Sequence, residues 1–119
     1  MEEEFHTVDL ATRRLTPQAD RLMERLPAGS FSSELQRSVL EANSRPWGSL
    51  TDLAEDIAKL RQAAIAAAET FGLGIAAAGT VPLADPDTLQ ITSDPRYEHM
   101  RGEYRMLVRE QLICGTQVH

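Results

Sequence analysis

Three features of this 119-residue sequence predict an α+β fold. β-prone segments stand at both ends, a long capped amphipathic helix lies between them, and strand-like and helix-like stretches alternate along the chain. No internal repeat, low-complexity tract or linker divides it. The length suits one domain on the usual range of about 100–200 residues, and the 42% apolar content can fill a core.

Residues Glu2–Asp9, with β-prone Phe5, Thr7 and Val8, predict a strand that ends in the turn at 10–14. Thr16 followed by Pro17 reads as a helix start, and that helix runs to about Leu26, ahead of Pro27 and Gly29. Residues 31–43 stay open: Ser33 suits a helix cap, whereas the serines and Val39-Leu40 suit a strand. Ser49 heads a capping box with Asp52, and Leu53, Ile57, Leu60, Ala64 and Phe71 recur at helical spacing before Gly72. Leu73 to Ala78 is an apolar run that predicts a buried strand. From Gly79 to Asp94 a loop with Pro82 and Pro86 exceeds ordinary connection lengths, a feature of functional loops. Asp94-Pro95 opens a last helix with Tyr97, Met100, Tyr104 and Leu107 on one face, and residues 112–119 predict a final strand. Both ends fall inside expected strands, so the chain is expected to be a piece of a larger protein.

Composition excludes several classes. Twelve basic against eighteen acidic residues leave a net charge of −6, which argues against a nucleic-acid partner. A single cysteine, Cys114, cannot form an internal disulfide and fits a reducing compartment. Met1-Glu2-Glu3-Glu4-Phe5 lacks the regions of a signal peptide, and Glu69 interrupts the best apolar run. The expectation is a cytoplasmic protein without a membrane partner; self-assembly into a homo-oligomer stays open.

The chemistry rests on carboxylates. Glu2 and Glu4 are two apart on a strand and project from one face. Such a pair either forms a solvated acidic terminus or binds a hard divalent cation, Mg²⁺ or Mn²⁺. Glu34 and Glu41 stand seven apart, which shares a face on a helix, opposes them on a straight strand, and reunites them across one bulge. Each also reads as an ordinary surface residue. Gln117 and His119 share a face of the last strand, as cation or phosphate contacts or as hydrogen-bonded structural residues. Cys114, on the other face, reads as a small buried hydrophobe. The glycines at 72, 74 and 79 do not fit a dinucleotide fingerprint, and there is no P-loop.

Taken in order, Glu2-Glu-Glu-Phe5, Glu34-Leu-Gln-Arg-Ser-Val-Leu-Glu41, Ala78-Gly-Thr-Val-Pro82, Arg96-Tyr97 and Cys114-Gly-Thr-Gln-Val-His119 resemble one family. They resemble the amino-terminal part of the carboxylate–amine ligases of the glutamate–cysteine ligase type 2 family, the YbdK-like proteins. The resemblance implies a fold similar to glutamine synthetase, in which a curved antiparallel sheet with helices packed on one face holds ATP and metal ions. Residues 1–119 would then be the amino-terminal, incomplete portion of one catalytic domain. It implies an activity in which ATP activates a carboxylate as an acyl phosphate and an amine displaces phosphate, with L-glutamate and an amine such as L-cysteine as substrates. Position by position, it implies Glu2, Glu4, Glu34 and Glu41 as metal ligands for Mg²⁺ or Mn²⁺. Gln117 and His119 would face ATP phosphate or metal, and Arg96 would bind a substrate carboxylate. Val81 and Gln117 stand where the family often has histidine; glutamine keeps an acceptor at 117. The piece alone is expected to be inactive. Two other readings compete: a non-catalytic binding or regulatory module derived from that fold, and a metal-dependent hydrolase using the same carboxylates.

Overall fold

The computed structural model describes residues 1–81, 84–85 and 89–119. Its elements, in order, are β1 (Glu2–Asp9), α1 (Ala19–Met23), β2 (Phe31–Ser33), β3 (Val39–Asn43), α2 (Leu50–Glu69), β4 (Leu73–Ala76), α3 (Pro95–Tyr104), α4 (Met106–Glu110) and β5 (Thr116–Gln117). The five strands form one antiparallel sheet in the order β2-β3-β1-β4, with β5 also on β1. The α+β class and the antiparallel sheet with helices against it are therefore observed.

β1 is the centre of the sheet. Along one edge it pairs with β3, placing Glu4 opposite Glu41. Its other edge is divided: β4 takes His6 to Asp9, and β5 takes Glu2 and Glu3. That division denies residues 112 and 113 their places opposite Thr7 and His6, and the strand expected at 112–119 spans only two residues. The Glu4 amide still donates to Gly115 O at 3.0 Å, but beyond it the edge belongs to β4.

Alternation along the strands gives the sheet two unlike faces. Phe5, Phe31, Leu40, Ala42 and Leu73 pack with Ala19 and Leu22 of α1 and with Ala64, Ala67 and Ala68 of α2 in the main core. Alanines on the buried stripe of α2 let the helix lie close to the sheet. Its start is as expected: Ser49 Oγ accepts from the amides of Thr51 and Asp52. Its end is the left-handed Gly72, at φ 69°. A smaller cluster of Leu35, Tyr97 and Val108, with Ile91 and Met100, holds α3 and α4 apart from that core.

Two expectations are corrected and one open reading is settled. The first helix does not begin at Pro17: Leu15 bridges to Val8, Thr16 O accepts from Thr7 Oγ1 at 2.5 Å, and α1 starts only at Ala19. Extended pairing to β1 outcompetes the local cap signal. The segment 31–43, open between helix and strand, holds two paired strands, with Ser32 opposite Glu41. The last helix breaks at Arg105, where φ is 32°. Tyr104 just before the break and Leu107 after it are exposed while Val108 turns inward, so the expected single apolar face does not persist. In the long loop, Pro82 and Pro86 lie outside the described residues.

Candidate metal centre

The face of the sheet opposite α2 carries an acidic pocket of about 490 Å³. Glu2, Glu4 and Glu41 come from β1 and β3, Glu34 from the link after β2, Arg96 from the first turn of α3, and Gln117 from β5. Register explains the gathering. Glu4 and Glu41 are directly opposed, Ser32 continues the row on β2, and Glu34 lies two residues beyond Ser32 on the same side. The seven-residue spacing of Glu34 and Glu41 is thus closed by the turn between two paired strands, not by a helix or a single bulge.

One ligand atom each from Glu4, Glu34 and Glu41 lies within 4.8 Å of the others. Each of these carboxylates has one oxygen already engaged. Glu4 Oε2 accepts from the Gly115 amide at 2.6 Å and Glu34 Oε2 from the Leu35 amide at 3.0 Å. Glu41 Oε1 accepts from Ser32 Oγ at 2.6 Å and Asn43 Nδ2 at 2.9 Å. Among the described residues, no backbone, hydroxyl or amide donor reaches the second oxygen of any of the three. Burial raises the Glu34 carboxyl above its ordinary value, outweighing the Leu35 amide, and the charge of Glu41, a hydrogen bond between the Glu34 and Glu41 carboxyls and the charge of Glu4 raise it further. Three hard oxygen donors, converging and mutually repelling, fit Mg²⁺ or Mn²⁺.

Glu2 lines the same pocket but is not one of the trio. Its Oε2 lies 2.8 Å from His119 Nε2, and Gln117 faces it across the β1–β5 pair. Glu2, Gln117 and His119 therefore form a neighbouring polar group at the pocket margin. Arg96 brings a positive charge to this acidic wall. Its guanidinium stacks on Tyr97, 5.6 Å from the ring centroid, and has no carboxylate partner among the described residues.

Two titratable residues near the site are held toward their neutral forms by burial. Cys114 has its thiol pushed up to about 12, by burial first and then by the charges of Glu4 and Glu34, so it is no nucleophile at neutral pH. His6 is fully buried in β1; its Nε2–H donates to Ala78 O at 3.1 Å, leaving Nδ1 without a partner among the described residues. Burial holds its imidazole below the ordinary value, against the opposing pull of that hydrogen bond. Sequence reasoning missed Ser32, Asn43 and Gly115 as holders of the carboxylates. Their signal lies in strand register, which appears only once 31–43 is read as a hairpin.

The glutamate–cysteine ligase family 2 (GCS2) profile matches residues 1–119. The chain belongs to this family. It is 50% identical over its whole length to "Putative glutamate–cysteine ligase 2-3" of Frankia alni, covering 14% of that protein. It is likewise 50% identical to the protein of the same name from Rhodococcus jostii, covering 15%. It is 46% identical to "Putative glutamate–cysteine ligase 2-2" of Mycolicibacterium smegmatis, covering 30%. The chain thus spans about a third or less of the length of these curated relatives. Among the described residues, no helix is long and apolar enough to cross a membrane.

Proposed function

We propose that the chain is the amino-terminal portion of a glutamate–cysteine-ligase-like catalytic domain, and that the whole protein is a cytoplasmic, ATP-dependent carboxylate–amine ligase. Family membership supports the ligase class. The observation that carries the site assignment is the convergence of Glu4, Glu34 and Glu41, each with one oxygen held by a protein donor. In the proposed reaction the substrate carboxylate attacks the γ-phosphorus of ATP and ADP leaves. The amine then attacks the acyl carbon, and phosphate leaves with formation of a γ-glutamyl amide.

Glu4, Glu34 and Glu41 would hold the Mg²⁺ or Mn²⁺ that, when bound, neutralises charge on the transferring phosphoryl group. Glu2, beside them on β1, gives the same wall a fourth carboxylate. Gln117 offers an amide to phosphate oxygens, and His119 keeps Glu2 oriented while adding a donor at the margin. Arg96, whose guanidinium has no carboxylate partner among the described residues, would bind the substrate carboxylate by paired, charge-assisted hydrogen bonds. Half-buried Cys114, its thiol raised, is given no part in the chemistry.

The test uses the full-length protein with ATP, Mg²⁺, L-glutamate and an amine. Release of ADP and phosphate that requires Mg²⁺, glutamate and the amine together supports the ligase. Phosphate release independent of any amine would mark a hydrolase and overturn the reading.

A further inference from the structure

We propose that Ser32 and Asn43 are positioning residues that fix how Glu41 meets the cation, restricting it to a single oxygen. The inference rests on the metal reading above and adds two residues that do not themselves touch the ion. The three side chains form a closed triangle on the pocket face. Ser32 Oγ donates to Glu41 Oε1 at 2.6 Å, while Asn43 Nδ2 donates to Ser32 Oγ at 2.8 Å and to Glu41 Oε1 at 2.9 Å. The donor count closes: one hydroxyl hydrogen and both amide hydrogens are used, and both new bonds to the carboxylate end on the same oxygen.

Sheet register builds the triangle. Ser32 and Glu41 are a directly opposed pair on β2 and β3, and Asn43 is two residues along β3 on the same face. Two donors on Oε1 remove the rotational freedom of the carboxylate and draw charge toward that oxygen. Oε2 is left as the one available to a ligand. Glu4 and Glu34 each accept one backbone amide, whereas Glu41 takes two side-chain donors on one oxygen.

The choice of cation follows from this restraint. Ca²⁺ readily takes both oxygens of a carboxylate at longer distances, whereas Mg²⁺ and Mn²⁺ favour single oxygens in octahedral geometry. Holding Oε1 therefore disfavours Ca²⁺ as well as strengthening binding of the smaller ions. Removing the donors frees Oε1 for bidentate contact, so Ca²⁺ gains relative to Mn²⁺. A purely structural role would not move that ratio.

The experiment titrates the full-length protein with Mn²⁺, followed by electron paramagnetic resonance of the free ion, and then displaces it with Ca²⁺. The variants are Asn43→Ala and the near-isosteric pair Ser32→Thr and Ser32→Val, which differ in the hydroxyl alone. Outer-sphere partners of ligating carboxylates are typically worth about 10–100-fold in metal affinity. Ser32→Val and Asn43→Ala are expected to weaken Mn²⁺ binding at least ~10-fold and to make Ca²⁺ the better competitor. Ser32→Thr should stay within about 3-fold of the parent. Equal Mn²⁺ affinity and an equal Ca²⁺/Mn²⁺ ratio in the Thr and Val variants would overturn the inference, as would a loss in Thr as large as in Val. A parent protein that takes up no Mn²⁺ overturns the metal reading and this inference together. A parent that binds, with variants that match it, overturns this inference alone.

Discussion

Glu3 and Glu4 are neighbours in sequence and opposites in circumstance. Glu3 points into the helix layer, where its side chain is 8% exposed and Arg61 of α2 grips both oxygens, at 2.6 and 2.7 Å. Glu4 points into the pocket, where a carboxylate oxygen from each of Glu34 and Glu41 lies within 4.8 Å of one of its own. A strand period of two separates them, and their roles separate with it. The helix-facing carboxylate is neutralised inside the protein and fastens β1 to α2. Glu4, Glu34 and Glu41 have no basic partner among the described residues, and the protein instead spends backbone amides, a hydroxyl and a side-chain amide on holding them still. The contrast teaches that carboxylate type decides little; what the opposite element brings to it decides its role.

Breaking each face in turn should produce opposite phenotypes. Glu41→Gln in the full-length protein removes a pocket charge: Mn²⁺ affinity and Mg²⁺-dependent turnover should fall by more than about 100-fold, beyond the usual cost of an outer-sphere change. Its metal-free melting temperature should hold or rise, because like charges have been relieved. Wild-type turnover in that variant would sink the metal assignment. Arg61→Ala acts on the other face and strands a buried carboxylate. Loss of a charged hydrogen-bonded pair costs about 1.5–3 kcal/mol, and the half-exposed arginine argues for the lower part of that range. Chemical denaturation should show this loss while Mn²⁺ affinity changes little. Parallel loss of binding and stability in both variants would erase the distinction between the faces.

Smaller effects should appear in pH dependence. Burial raises Glu34 above its unfolded value of 4.5, so its charged form is disfavoured in the fold. The metal-free protein should therefore lose stability as pH climbs from 4.5 through the raised value, while Mn²⁺ affinity strengthens over the same window. Thermal melts with and without Mn²⁺ should diverge there; parallel curves would contradict the raised carboxyl. His6 runs the other way. Its value lies below the unfolded 6.5, so its stabilising contribution is full above 6.5 and is lost as pH falls from 6.5 through the folded value. A His6→Gln variant should flatten that limb of the stability profile, and an unchanged slope would remove His6 as its source.

Much of this architecture was legible before any coordinates. β1 matches the expected strand at both ends, and Ser49 and Gly72 mark the limits of α2 as local rules require. These elements obey their own residues. Where long-range pairing competes with local preference, sequence reasoning fell short. Thr16-Pro17 carries a helix-start signal, yet Thr16 serves β1. Residues 112–119 carry strand character, yet β4 already holds His6 and Thr7, the places that 112 and 113 would need, and β1 offers no paired partner beyond Glu2. The site followed the same division. The acidic residues could be picked out from spacing and resemblance, and Glu2, Glu4, Glu34, Glu41, Arg96 and Gln117 do line one pocket. That Glu2 turns to His119 while the other three carboxylates converge depends on cross-strand register, as do the roles of Ser32 and Asn43.

The central claim is that Glu4, Glu34 and Glu41 together hold a divalent cation. Anomalous diffraction at the manganese edge, from crystals of the full-length protein grown with Mn²⁺, tests it most directly. The predicted result is a peak bonded to one oxygen of each of the three carboxylates, at about 2.0–2.3 Å, with Glu41 contributing Oε2. A well-diffracting crystal with no peak among these residues, or with its only peak at Glu2 and His119, would contradict the claim.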